Sequence, residues 1–140
     1  MDKYSQSIIK DYKYWTLYLQ ENQSYLGCTY LWCKREDAIN LPDANKEEQA
    51  ELFEILKKLE KVLMENFNAD HINYAFFGNS TKHLHCHVIP RYSKSIEFGG
   101  VVFTDRAYGH IYSSDMNFVI SPQTTVLIKE KLIDNVNKFV

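Results

Sequence analysis

The sequence predicts an α+β domain: an antiparallel sheet of about five strands, one long helix packed on it and a C-terminal helix. Two observations lead there. Short β-rich runs bounded by turn residues occur at 13–19, 28–33, 71–78, 83–92 and 101–103. Longer stretches at 45–67 and 121–136 carry apolar residues at helical spacing. Strands around one central helix, with another helix at the end, give the α+β class.

The elements follow in order. The first ten or so residues read as a loose arm or a short helix. Lys13 to Leu19 reads as a strand, with Trp15, Leu17 and Leu19 on one face and Tyr14, Thr16 and Tyr18 on the other. Turn residues fill Gln20 to Gly27, and Cys28 to Cys33 is a second strand that pairs with the first as a hairpin. Lys34 to Ala44 is connecting chain. Asn45 followed by Glu48 predicts a capped helix start. That helix runs to about Phe67 behind a stripe of Leu52, Phe53, Leu56, Leu59, Leu63 and Phe67. His71 to Gly78 and His83 to Tyr92 are strands joined by a short link, which favours antiparallel pairing. Gly99-Gly100 breaks the next segment, before a short strand at Val101 to Phe103. Ser121-Pro122 opens the last helix, with Val126, Leu127, Leu132, Ile133 and Val136 as its apolar face.

A length of 140 residues fits one domain, taken as 1–140, with a core at about 13–92 and a C-terminal extension at 93–140. The chain is 45% hydrophobic and 24% charged, which makes a folded core the default. Its net charge of −2 and lack of a basic block argue against a nucleic-acid partner. No apolar run approaches a membrane span, and the polar N-terminus does not open a signal peptide. Three cysteines with no C-x-x-C spacing give no disulfide framework and fit a reducing, cytoplasmic location.

The chemistry concentrates at His83-Leu84-His85-Cys86-His87-Val88-Ile89-Pro90-Arg91. Alternation along a strand sends Leu84, Cys86 and Val88 to the core and the three histidines to the other face, roughly 6.5–7 Å apart. Three of the five histidines fall within five residues, so a chance exposed face is the weakest reading. Two others stay open on spacing alone. His-x-His on a strand can present two imidazoles to one metal ion, which would make a metal-dependent enzyme. Alternatively, one imidazole attacks phosphorus and the other two hydrogen-bond the phosphate and assist the leaving group.

The motif resembles the alternating histidine signature of the histidine-triad (HIT) superfamily, and Pro90-Arg91 resembles the dipeptide that follows it in many members. The block from Leu19-Gln20 through Gly27-Cys28 to Lys34-Arg35 resembles the family's strand–loop–Gly–strand arrangement. The match covers roughly residues 13 to 92. The compact Gly78-Asn79-x-x-x-His83-Leu84-His85 pattern resembles a branch of dinucleoside polyphosphate hydrolases. This resemblance implies a nucleotide hydrolase or transferase that cleaves at the α-phosphorus through a nucleotidyl-histidine. His85 would be the nucleophile, His83 would orient it and His87 would contact phosphate. Asn79 and Ser80 would meet the substrate, Gln20 would bind ribose hydroxyls, and Arg91 is weighed equally as a phosphate ligand or a surface or interface ion pair. The motif requires no cofactor and no protein-bound metal, and it leaves room for a divalent cation on the substrate's phosphates. Members are commonly homodimers, so a second copy is the expected partner.

Two departures stand out. Many members have a histidine where this chain has Cys28, and a second histidine where it has Glu36. The first loss keeps a nucleotide-binding module with little turnover as an alternative.

Overall fold

The computed structural model describes residues 4–138. Five strands form one antiparallel sheet in the order β1-β2-β3-β5-β4: β1 (Ile8–Asp11), β2 (Trp15–Leu19), β3 (Thr29–Cys33), β4 (His71–Ala75) and β5 (His85–Arg91). A separate hairpin joins β6 (Ile96–Phe98) to β7 (Val101–Phe103). The helices are α1 (Lys46–Asn66) and α2 (Pro122–Val136).

One sheet face is apolar. Trp15, Leu17, Leu31, Cys33, Leu84, Cys86 and Val88 lie there in a single core with Leu59 and Leu63 of α1 and Ile128, Leu132 and Val136 of α2. The hairpin register aligns the other face: Tyr18 opposes Tyr30, and Trp32 and Tyr30 oppose His85 and His87.

Helix α1 starts where the sequence places it. The Asn45 side chain accepts from the Glu48 amide at 2.8 Å, and the Glu48 carboxylate accepts from the Asn45 amide at 2.8 Å. Glu48 is buried, and it also receives a two-pronged bond from Arg35 at 3.0 and 3.1 Å. At the other end Asn68 takes a left-handed φ of 62°, and the Ala69 amide closes on the Leu63 carbonyl. Gly27 has φ +85°, a left-handed backbone that favours glycine, and a Cβ there would meet Leu63 Cδ2 at 2.9 Å and push that side chain aside.

Several boundaries differ from the sequence reading. The N-terminal arm contains β1, which pairs with β2 through an irregular register. The hairpin partner β6 is also new. Phe53 is 65% exposed and does not belong to the buried stripe, which passes instead through Leu52, Ile55, Leu59, Val62 and Leu63. Phe53 directly follows Leu52, and one residue along a helix turns the side chain about 100°. Val126 and Leu127 are likewise half exposed, while Thr124, Ile128 and Asn135 face inward. His83 precedes β5 rather than starting it. The Leu84 carbonyl still accepts from the Cys33 amide at 3.1 Å, but the Leu84 amide turns aside to the Ala38 carbonyl at 2.9 Å, and the pairing goes no further.

Residues beyond Tyr92 are tied into the rest of the fold. Phe103 and Ile128 are fully buried in the main core. Tyr25, Cys28, Ala75 and Ile89 make a second small cluster against Tyr112. Among the described residues no helix is long and apolar enough to cross a membrane.

Candidate active site

The histidine face of the sheet floors a cavity of about 840 Å³. His85 and His87 of β5, Tyr30 and Trp32 of β3, and Tyr18 of β2 line it. Gln20 and Glu21 follow β2 at its rim, and Thr81 enters from the loop before His83. Gln6 and Thr125 of α2 line it as well. The Lys129 ammonium donates to the Gln6 carbonyl, so the two ends of the chain meet beside the cavity.

The histidines are held in different ways. The His83 ring bonds through Nε2 to the Cys33 carbonyl at 2.6 Å. The His85 ring bonds through Nδ1 to the His83 carbonyl at 2.6 Å. A carbonyl only accepts, so Nδ1 of His85 carries the proton and Nε2 of the neutral ring keeps its lone pair. Among the described residues that Nε2 has no hydrogen-bond partner. The His85 and His87 rings meet edge to face, with centroids 4.9 Å apart. Burial, and secondarily the charge of His85, lowers the His87 pKa below the ordinary 6.5. His87 is therefore a neutral imidazole at pH 7, able to donate one hydrogen bond and accept another.

Among the described residues no lysine or arginine lines the cavity. The described polar donors available to a phosphate there are imidazoles, hydroxyls, the amides of Gln6 and Gln20 and the Trp32 indole. The three histidines also do not close around a common point: among the described residues no group of three or more His, Cys, Asp or Glu side chains is arranged to hold a metal ion.

A HIT domain profile matches residues 2–94. The chain belongs to the HIT domain family. No curated protein sequence is significantly similar to it. Solved structures of HIT proteins share its fold. A histidine triad protein from Bradyrhizobium japonicum superposes with a TM-score of 0.74 at 17% identity, covering 97% of this chain and 96% of that one. One from Marinobacter aquaeolei VT8 gives 0.71 at 18% identity, covering 100% and 96%. A hypothetical histidine triad nucleotide-binding protein from Sulfolobus tokodaii strain7 gives 0.71 at 16% identity, covering 93% and 83%.

The other residues singled out from the sequence divide. Gln20 lies at the cavity, and its Oε1 is buried without a hydrogen-bond partner among the described residues. Asn79 and Ser80 are exposed and lie outside the cavity lining, where Thr81 of the same loop stands instead. Arg91 does not reach the cavity. Its guanidinium is 4% exposed and bonds Asp105, Asn73 and the carbonyls of Ala107 and His110. Those five bonds use all five of its donors, which makes Arg91 an anchor for the tail and corrects the phosphate reading. Cys28 also sits away from the cavity lining, under Tyr112.

Sequence reasoning missed Tyr30, Trp32, Thr81 and Thr125. For Tyr30 and Trp32 the signal was available, because a hairpin that puts Leu31 in the core must put both neighbours on the opposite face. Thr125 is brought in by tertiary packing of α2, which no local pattern encodes.

Proposed function

We propose that this HIT protein is a nucleotide hydrolase or transferase that cleaves at the α-phosphorus of dinucleoside polyphosphates or related nucleotide conjugates. The bond from His85 Nδ1 to the His83 carbonyl carries the reading, because it commits the ring to the tautomer with a nucleophilic Nε2. Nε2 attacks the α-phosphorus, the bridging bond to the leaving group breaks, and the leaving group departs with the electron pair. Water or another acceptor then attacks the phosphorus, returning the pair to Nε2 and losing its proton to solvent.

Neutral His87, adjacent to His85, supports a role as a hydrogen-bond donor to the phosphoryl oxygens. His83 supports the nucleophile through its backbone carbonyl. The unpartnered Oε1 of Gln20 is suited to accept from a ribose hydroxyl. Asn79 and Ser80 would act only through movement of their loop toward a bound substrate. No protein-bound cofactor enters this scheme, and a divalent cation would arrive on the substrate's phosphates.

The same reading takes a second copy of the chain as partner. Strand β4 is an edge of the sheet. Beside it a groove of about 640 Å³ is lined by Leu41, Leu52, Phe53, Leu56, Tyr74 and Phe76. Antiparallel pairing of two β4 edges about a two-fold would be isologous and would bury the exposed Phe53.

The deciding experiment is a panel of dinucleoside polyphosphates, nucleoside phosphoramidates and adenylylated lysine, assayed with wild type and His85→Ala. A covalent nucleotide trapped on wild type and absent from His85→Ala is expected. Undiminished turnover by His85→Ala would overturn the reading.

A further inference from the structure

The indole of Trp32 lies nearly parallel to two imidazoles at once. Its centroid is 4.1 Å from that of His83 at 16° and 5.6 Å from that of His85 at 26°. Trp32 faces His85 directly across the β3–β5 ladder. Two hydrogen bonds fix the rings: His83 is tied to the Cys33 carbonyl, next to Trp32 in sequence, and His85 is tied to the His83 carbonyl. Ring planes and hydrogen bonds therefore form one continuous assembly from β3 to the cavity.

We propose that Trp32 is a positioning residue for His85, holding its ring plane and stabilising the positive charge that this ring acquires in the covalent intermediate. The proposal rests on His85 being the nucleophile. The charge arises because Nδ1 keeps its proton, held by the His83 carbonyl, while Nε2 gives its lone pair to phosphorus. The nucleotidylated ring is then an imidazolium. A parallel indole face is the strongest neutral aromatic partner for such a cation. Hydrolysis returns the pair to Nε2 and the charge disappears. Trp32 thus favours the charged state over the neutral one, which is what differential stabilisation requires.

The test compares wild type, Trp32→Phe and Trp32→Leu in single-turnover mixing with diadenosine tetraphosphate, trapping the covalent nucleotide, with His85→Ala as control. Removing the ring face in Trp32→Leu is expected to slow formation of the intermediate roughly tenfold, the rate equivalent of a cation–π contact between the exposed and the desolvated limits. KM is expected to stay within about twofold of wild type, since ground-state binding is not the target. Trp32→Phe, which keeps a π face, should recover to within about threefold. Equal rates in wild type and Trp32→Leu, or a loss confined to KM, would overturn the proposal while leaving His85 as nucleophile. Turnover that survives His85→Ala would instead overturn the underlying reading.

Discussion

Arg91 and Asp105 form a two-pronged ion pair inside the protein, at 2.8 and 3.2 Å, with the arginine side chain 4% exposed and the aspartate fully buried. Asp105 also accepts from the Tyr92 and Ala107 amides. The pair fastens the tail to the strand that carries His85 and His87. Asp105→Ala would leave the buried guanidinium without its counter-charge, at a cost of about 3–5 kcal/mol. Urea unfolding is expected to show that loss, with little relief at high salt because the pair is shielded from solvent.

His85→Ala is expected to reduce turnover by about a thousandfold or more, in keeping with removal of a covalent nucleophile. The variant should still bind a nonhydrolysable nucleotide, because the core does not include that ring and Tyr18, Gln20, Tyr30, Trp32 and His87 still line the cavity. Equilibrium binding measured beside turnover separates the two effects.

His87 makes stability pH-dependent. Burial lowers its folded pKa below 6.5, so just below 6.5 the unfolded chain binds more protons than the folded one. This contribution is at its full favourable value above pH 6.5 and falls with pH until the folded pKa is passed. Urea midpoints at pH 5.5 and pH 7.5 should differ less in His87→Asn than in wild type.

The three thiols are predicted to be inert in the native state. Burial raises Cys28 and Cys86 to about 12 and Cys33 to about 11. Iodoacetamide at pH 8 should label none of them quickly, and all three in urea. Rapid native labelling of Cys28 would show that the Tyr112 cover opens.

Phe53→Glu tests the partner surface. The side chain is 65% exposed beside the β4 edge, so the substitution should leave the monomer fold intact. Light scattering is expected to show wild type as a dimer and the variant as a monomer.

Much of this was legible in the sequence because the decisive patterns are local. Asn45 and Glu48 announce the start of α1 within one turn. Alternation of Leu84, Cys86 and Val88 with histidines assigns the two faces of β5. The failures have a common physical origin. Arg91 belongs to the same motif, but its partner Asp105 lies fourteen residues on and is met only through the tail's path. Thr125 enters the cavity by helix docking. The Leu84 carbonyl still pairs with the Cys33 amide, but its own amide turns to Ala38, so His83 falls outside the strand through a contact that spacing cannot show.

The meeting of Gln6 and Lys129 bears on how the protein is made. The cavity wall draws on both ends of the chain, separated by 123 positions at that contact. A nascent chain can assemble the sheet and α1 during synthesis, but it cannot complete the wall before α2 has left the ribosome. Pulse-labelled chains arrested before residue 120 should therefore fail to retain a nucleotide analogue.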